Sequence, residues 1–208
     1  HKDGRADVPW ALSLPFGNWA IRGSGMAVRS VLRRCADKVT FDLPSFEAAR
    51  AAVPEDTLIV VVPNHRSYLD FLLCSYLFFE RSDLGIRIPH IAAASEFSRL
   101  PGLGWLFRQT QAFYIRRGTG AADPDLTRRI QDLVERGHTL EFFIEGTRSR
   151  SRRYLAPKRG LLRALQGTGI RCALLPVAIT YDRVPEEGAF QRELSGGPKP
   201  RMGLKPLI

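Results

Sequence analysis

The sequence predicts an α/β fold: a central mostly parallel or mixed sheet flanked by helices, with a helical extension ahead of it. Three observations point there. Thr57 to Pro63 (TLIVVVP) is an unbroken, largely β-branched run closed by proline, the pattern of a strand buried on both faces. From Pro124, the residues Leu126, Ile130, Leu133 and Val134 recur at helical spacing. Short strand-like and helix-like stretches then alternate as far as Thr180, the order that builds a sheet through crossover helices.

Taken in order, Asn18 to Asp37 reads as a basic helix carrying Arg22, Arg29, Arg33 and Arg34, preceded by Pro9, Trp10, Pro15, Phe16 and Trp19. It is either a packed N-terminal arm or an interfacial segment, since Trp and Arg both suit a lipid headgroup zone. After the strand at 57–63, Tyr68 to Phe79 predicts an almost wholly apolar helix, Ile88 to Ala94 a second strand, Pro101 to Gln109 a short helix, and Ala112 to Ile115 a third strand. Asp123 as N-cap and Pro124 at the first helical position open the next helix, and Gly137 closes it. Thr139 to Ile144 predicts a strand and Glu145 to Arg153 a polar loop. Arg159 to Gln166 predicts a helix and Arg171 to Thr180 a long strand.

Charge narrows the partners. The net charge is +10, and all but five of the 31 basic residues are Arg, whose planar fork of donors suits phosphate oxygens. That balance fits phosphorylated small molecules, anionic lipid surfaces, acyl carriers or nucleic acid. Cys35, Cys74 and Cys172 are scattered and odd in number, which reads as small buried hydrophobes in a reducing compartment. His1, His65, His90 and His138 lack metal-ligand spacing. No run reaches the roughly 18–20 apolar residues of a spanning helix. Leu69 to Phe79 is the most apolar segment, and it carries Asp70. The chain starts at His1 rather than Met and stops after a Gly-Pro-rich run, so it is expected to be truncated at both ends.

Four blocks carry chemistry. In Asn64-His65-Arg66-Ser67-Tyr68-Leu69-Asp70 the His and Asp are five positions apart, about 140° around a regular helix. They can converge only across a strand-to-helix turn, and the carboxyl ends of strands are where α/β sheets bind ligands. A His oriented by a carboxylate can take a proton from a hydroxyl. The same letters also fit a capping box, Ser67-x-x-Asp70, in which Asp70 is structural. The second block, Ala112-Phe113-Tyr114-Ile115-Arg116-Arg117, puts two cations at a strand end. In the third, Phe142-Phe143-Ile144-Glu145-Gly146-Thr147-Arg148-Ser149-Arg150-Ser151, Gly146 permits close backbone approach, Thr147 offers a hydroxyl and Arg148 a phosphate fork. The fourth is Leu175-Pro176-Val177-Ala178-Ile179-Thr180.

In this order, HRSYLD, AFYIRR, FIEGTRSRS and LPVAITYD resemble the four motif blocks of the glycerol-3-phosphate and dihydroxyacetone-phosphate acyltransferases, over about Pro63 to Glu186. Gln111-Ala112 stands where that family often has Gly-Ala, and Tyr114 where Phe is common. The resemblance implies a glycerolipid acyltransferase fold, with residues 1–56 an N-terminal arm and helices and residues 57–208 the catalytic domain. It implies His65 as general base and Asp70 as its orienting carboxylate, with no acyl-enzyme, consistent with the lack of a G-x-S-x-G elbow. Arg117, Glu145, Gly146, Thr147 and Arg148 would hold the acceptor, with Arg116 as outer neighbour, and Pro176 would serve the acyl donor. No cofactor is implied beyond acyl-CoA or acyl-carrier protein as donor. The implied partners are glycerol 3-phosphate or dihydroxyacetone phosphate, the thioester donor and an anionic membrane surface, with the protein peripheral on the cytoplasmic side. The HRSY and IRR variants favour this branch over the lysophosphatidate acyltransferases, the alternative within the same chemistry. A third reading is an inactive, acyltransferase-like lipid-binding protein. The alternative of another class, a basic nucleic-acid-binding domain using Arg148 to Arg153, lacks a stacking or groove-entering module.

Overall fold

The computed structural model describes residues 36–95, 111–115 and 124–198, together with 23, 25, 26, 28–30 and 32–34. The described residues between 23 and 34 are helical, inside the basic helix expected at 18–37. Helix α1 (Leu43–Ala51) opens the continuous part, with Asp42 as N-cap accepting from the Ser45 N–H. Then come β1 (Leu58–Pro63), α2 (Asp70–Glu80), a single 3-10 turn at Ser82–Leu84, β2 (His90–Ala94) and β3 (Ala112–Ile115). Helix α3 (Pro124–Glu135), β4 (Leu140–Glu141), α4 (Gly160–Gly167), β5 (Cys172–Val177) and α5 (Glu187–Leu194) complete the order.

The strands form one sheet in the order β3-β2-β4-β1-β5, and every pairing is parallel. Strand β1 shows why its sequence has no polar face. Ile59 and Val61 join a core with Cys74, Leu77 and Phe78 of α2, while Val60 joins a second core with Ile130 and Val134 of α3 and Leu165 of α4. Alternate side chains of a strand point to opposite faces, so helices on both sides demand apolar residues throughout. Helix α3 ends as its glycine predicts. Gly137 takes φ 69°, its N–H donates to the Val134 carbonyl, and the His138 N–H donates to that of Leu133, a Schellman closure.

Several expected elements are shorter than the sequence suggests. Helix α2 starts at Asp70 rather than Tyr68, because residues 67–69 form a turn tied to the Asp70 carboxylate. The strand expected at 139–144 contributes only Leu140–Glu141. The Phe142 N–H still reaches the Val61 carbonyl, and then the chain turns, Gly146 bonding back to Phe143. Strand β5 ends at Val177 instead of Thr180. Beyond it the Asn64 side chain takes over, donating to the Ile179 carbonyl at 3.0 Å and accepting from the Ile179 N–H at 2.8 Å. Strand β2 likewise begins at His90, after Pro89, and not at Ile88. Helix α4 is displaced by one residue at each end from the expected 159–166. The helix expected at 101–109 and the N-cap Asp123 lie outside the described residues.

Candidate active site

Because β4, β1 and β5 are parallel neighbours, the chain leaving each of them emerges on the same side of the sheet. The turn after β1 brings His65 and Asp70 together: His65 Nδ1 lies 2.8 Å from Asp70 Oδ2. A hydrogen bond to a carboxylate oxygen favours the tautomer with the hydrogen on Nδ1, which in the neutral imidazole leaves the lone pair on Nε2. Asp70 is fully buried, while the His65 side chain keeps 16% of its surface exposed, so a substrate can reach the imidazole but not the carboxylate. The His65 ring stacks on Phe143 at a centroid distance of 4.2 Å, which fixes its plane.

Asp70 does not complete the capping box that the sequence allowed for, because the helix begins at Asp70 itself with Leu69 as N-cap and no side-chain cap bond, but its carboxylate shapes the turn ahead of the helix. Its Oδ2 accepts from the N–H of Arg66 at 2.6 Å and of Ser67 at 3.0 Å, and the Leu69 N–H donates to Ser67 Oγ at 3.1 Å. The backbone bonds that shape the turn thus also hold the carboxylate against the imidazole. Tyr181, just beyond β5, donates its O–H to Asp70 Oδ1 at 2.6 Å. Burial first, and then the Asp70 charge, push the Tyr181 phenol far above its usual range, so it remains a donor.

The loop after β4 supplies the second wall. Gly146 takes φ 67°, a conformation that strains any residue with a Cβ, and a Cβ there would lie 3.0 Å from Lys158 Cγ, so the Lys158 side chain would also have to give way. Glu145 is buried, and its two oxygens accept from the backbone N–H groups of His65 and Leu155, both at 3.0 Å. It thereby braces the His65 turn against the loop. The Ser149 N–H adds a bond to the His65 carbonyl at 2.8 Å. Arg150 laces the same loop, donating to Thr147 Oγ1, the Arg148 carbonyl and Glu193. Arg148 lies with its guanidinium 3.5 Å from the centre of the Tyr68 ring, paired to Glu186 at 3.1 Å.

Of the residues singled out from the sequence, His65, Asp70, Glu145, Gly146, Thr147 and Arg148 thus come together. Pro176 sits on the exposed edge strand β5, where a missing N–H is tolerated, and lines a shallow apolar depression with Val53 and Ile59 of the α1 side. Arg116 and Arg117 lie outside the described residues. Sequence reasoning missed Tyr181 and Glu186. Both follow β5, which adjoins β1 in a parallel sheet, and polar residues after a neighbouring strand are the signal that could have found them.

One further carboxyl lies beneath the site. Glu141 on β4 faces Val61 and Ile91 across its two ladders and is fully buried. Among the described residues neither of its oxygens finds a hydrogen-bond partner. Burial, with the Asp70 charge adding to it, pushes this carboxyl well above the usual range, which favours its neutral form. Burial likewise raises the Cys74 thiol on α2, with Glu141 and Asp70 contributing, which makes it a poor nucleophile.

Comparison with known proteins gives consistent results. The family described as Acyltransferase matches residues 48–180. A probable mitochondrial glycerol-3-phosphate acyltransferase of Caenorhabditis elegans is 39% identical over 82% of this chain and 25% of its own length. The dihydroxyacetone phosphate acyltransferase of Bos taurus is 33% identical over 91% of this chain and 28% of its own. A glycerol-3-phosphate acyltransferase of Histophilus somni is 38% identical over 76% of this chain and 20% of its own. The chain therefore spans about a quarter of the length of these relatives. Among solved structures, the 1-acyl-sn-glycerophosphate (LPA) acyltransferase of Thermotoga maritima aligns with a TM-score of 0.44 and 21% identity, over 76% of this chain and 72% of that one, a likeness too weak to argue from.

Proposed function

We propose that this chain, which belongs to the Acyltransferase family, moves a fatty acyl group from a thioester to the hydroxyl of glycerol 3-phosphate or dihydroxyacetone phosphate. The observation that carries the proposal is the His65–Asp70 contact at 2.8 Å on the same sheet end as a tethered Arg148. The names of the relatives support the acceptor, and the EGTR loop supports a phosphate on it.

In this reading His65 Nε2 takes the proton from the acceptor hydroxyl as its oxygen attacks the thioester carbonyl. Asp70, itself fixed by Tyr181 and two backbone N–H groups, stabilises the imidazolium that forms. Collapse of the tetrahedral intermediate breaks the carbon–sulfur bond, and the imidazolium returns the proton to the departing sulfur. The products are an ester and a free thiol, the acceptor itself is the nucleophile, and no acyl-enzyme is needed. Arg148 holds the acceptor phosphate, with Gly146 and Thr147 lining its approach, Arg117 and Arg116 assisting, and Glu145 keeping the loop in place. Pro176 serves the donor, acyl-CoA or acyl-carrier protein.

The test is an acyl-transfer assay with both acceptors and both donor types, in detergent or lipid. Ester formation on one of these acceptors is expected, and a folded protein giving no product with any pairing would sink the proposal. Among the described residues no helix is long and apolar enough to cross a membrane. The net charge of +10 supports peripheral attachment to an anionic membrane surface, and the reading places the protein on its cytoplasmic side. Cosedimentation with anionic vesicles should then weaken as salt rises, and equal retention on neutral vesicles at high salt would contradict it.

A further inference from the structure

Glu186 stands just before α5 and belongs to none of the residues assigned above to proton transfer or phosphate binding. Its carboxylate is nonetheless the junction of the site. Oε2 accepts from Ser67 Oγ at 2.8 Å, and Oε1 accepts from the Tyr68 N–H at 2.8 Å and from Arg148 Nη1 at 3.1 Å. Two of these donors sit on the turn that carries His65, and the third is on the loop after β4. The Tyr68 ring beneath the Arg148 guanidinium adds a second link between the same two segments. Only 2% of the Glu186 side chain is exposed and 12% of that of Arg148, so the junction is enclosed in protein.

We propose that Glu186 is a positioning residue that fixes the span between the His65 base and the Arg148 phosphate holder, and so selects acceptors whose reacting hydroxyl stands three carbons from the phosphate. The proposal rests on the acyl-transfer reading. Its logic is geometric. An arginine side chain has many rotamers, and an untethered guanidinium would offer the phosphate a range of positions. With Nη1 committed to Glu186, the remaining donors point in one direction. Adding or removing one carbon shifts the hydroxyl by about 1 Å relative to a phosphate held there, and a misplacement of that size costs on the order of a hundredfold in rate. Glycerol 3-phosphate and dihydroxyacetone phosphate share the three-carbon span. The free hydroxyl of a lysophosphatidate is one carbon nearer its phosphate.

The test compares kcat/KM for 2-hydroxyethyl, 3-hydroxypropyl and 4-hydroxybutyl phosphate in the wild type, Glu186→Ala and Glu186→Gln, each with its melting temperature. The wild type should prefer the three-carbon acceptor. Glu186→Ala removes all three bonds and should flatten that preference by about tenfold, the effect of losing the one among them that tethers Arg148. Glu186→Gln keeps an oxygen for both the Tyr68 N–H and Arg148, and should hold the preference within about threefold, since a neutral bond preserves the position. If Glu186→Ala proves unfolded, Glu186→Asp takes its place, keeping the charge but drawing the tether back by one methylene, and it should flatten the preference equally. A variant that lowers turnover on all three acceptors by one common factor has lost only structure and overturns the proposal. So does a glutamine variant as unselective as the alanine one. Wild-type protein silent on every acceptor tells against the acyl-transfer reading itself, whereas an active wild type without a three-carbon preference tells against Glu186 alone.

Discussion

Asp70→Asn removes one negative charge and keeps an oxygen where three donors need it. With the amide oxygen in place of Oδ2, the bonds from His65 Nδ1, the Arg66 N–H and the Ser67 N–H persist, while the amide nitrogen meets the Tyr181 hydroxyl, which must turn to accept. Each charge-assisted bond that becomes neutral loses about 1 kcal/mol. Three of them lose about 3 kcal/mol, partly offset because no charge is then buried in a fully enclosed position. The net fall in stability is about 1–2 kcal/mol, a few degrees in melting temperature. Turnover should suffer far more, on the order of 10²- to 10⁴-fold, because the imidazolium loses its anion. His65→Ala should match that loss while scarcely moving the melting temperature, since Asp70 retains Arg66, Ser67 and Tyr181. The two residues act as one unit, so the double variant should be no slower than the slower single one. Single-turnover acyl transfer and thermal melts on all three variants provide the measurement. Losses in kcat that multiply in the double variant, or a His65→Ala enzyme within tenfold of the parent, would refute the dyad.

Arg148→Ala should raise the KM for the acceptor by about tenfold to a hundredfold, and that for the donor much less, with Lys restoring only part of it. A larger change for the donor would reassign the loop. Glu141→Leu should stabilise the fold by about 1–3 kcal/mol in thermal melts, because an unpartnered buried carboxyl is replaced by an apolar side chain of similar size. The folded carboxyl ionises above its ordinary 4.5, so its contribution to stability declines as pH rises past that value, and the advantage of leucine should widen toward neutral pH. A melting temperature that falls instead would reveal a partner for Glu141. His90 is pushed from 6.5 to about 4 by burial, by His138, whose ring lies 4.5 Å away, and by Arg129. A depressed folded value means stability that is complete above 6.5 and drains away as pH falls toward 4, by on the order of 3 kcal/mol. His90→Gln should flatten that acid limb, and an unchanged limb would place the acid sensitivity elsewhere.

What the sequence disclosed follows the range of the forces involved. The β-branched run of β1 and the glycine closing α3 are local signals, and both stand where expected. His65 and Asp70 were legible because five residues and one turn contain the whole contact. Tyr181 and Glu186 were not, because their roles depend on β5 lying beside β1, and no periodicity in the sequence encodes which strands are neighbours. The burial of Glu141 was not legible either. A carboxylate beside Leu140 and Phe142 reads as a polar outward position, yet helices on both faces of a central strand leave no outward side. The short β4 has a similar origin: the apolar run to Ile144 promised a longer strand, but the turn that lets Glu145 reach the His65 backbone ends the ladder early.

The bonds that finish the site also bear on how the chain comes to be folded. Asn64 meets Ile179, Ser67 meets Glu186 and Asp70 meets Tyr181 across separations of 115, 119 and 111 residues. Contacts so distant are slow to form, because the closure entropy of a long loop must be met before any of them contributes. On a ribosome the imidazole and its carboxylate emerge together, more than a hundred residues ahead of the partners that steady them. A chain arrested anywhere before Tyr181 would carry the base without its outer support. Competence for chemistry would then arrive abruptly, when β5 docks against β1 and carries Tyr181 and Glu186 into place.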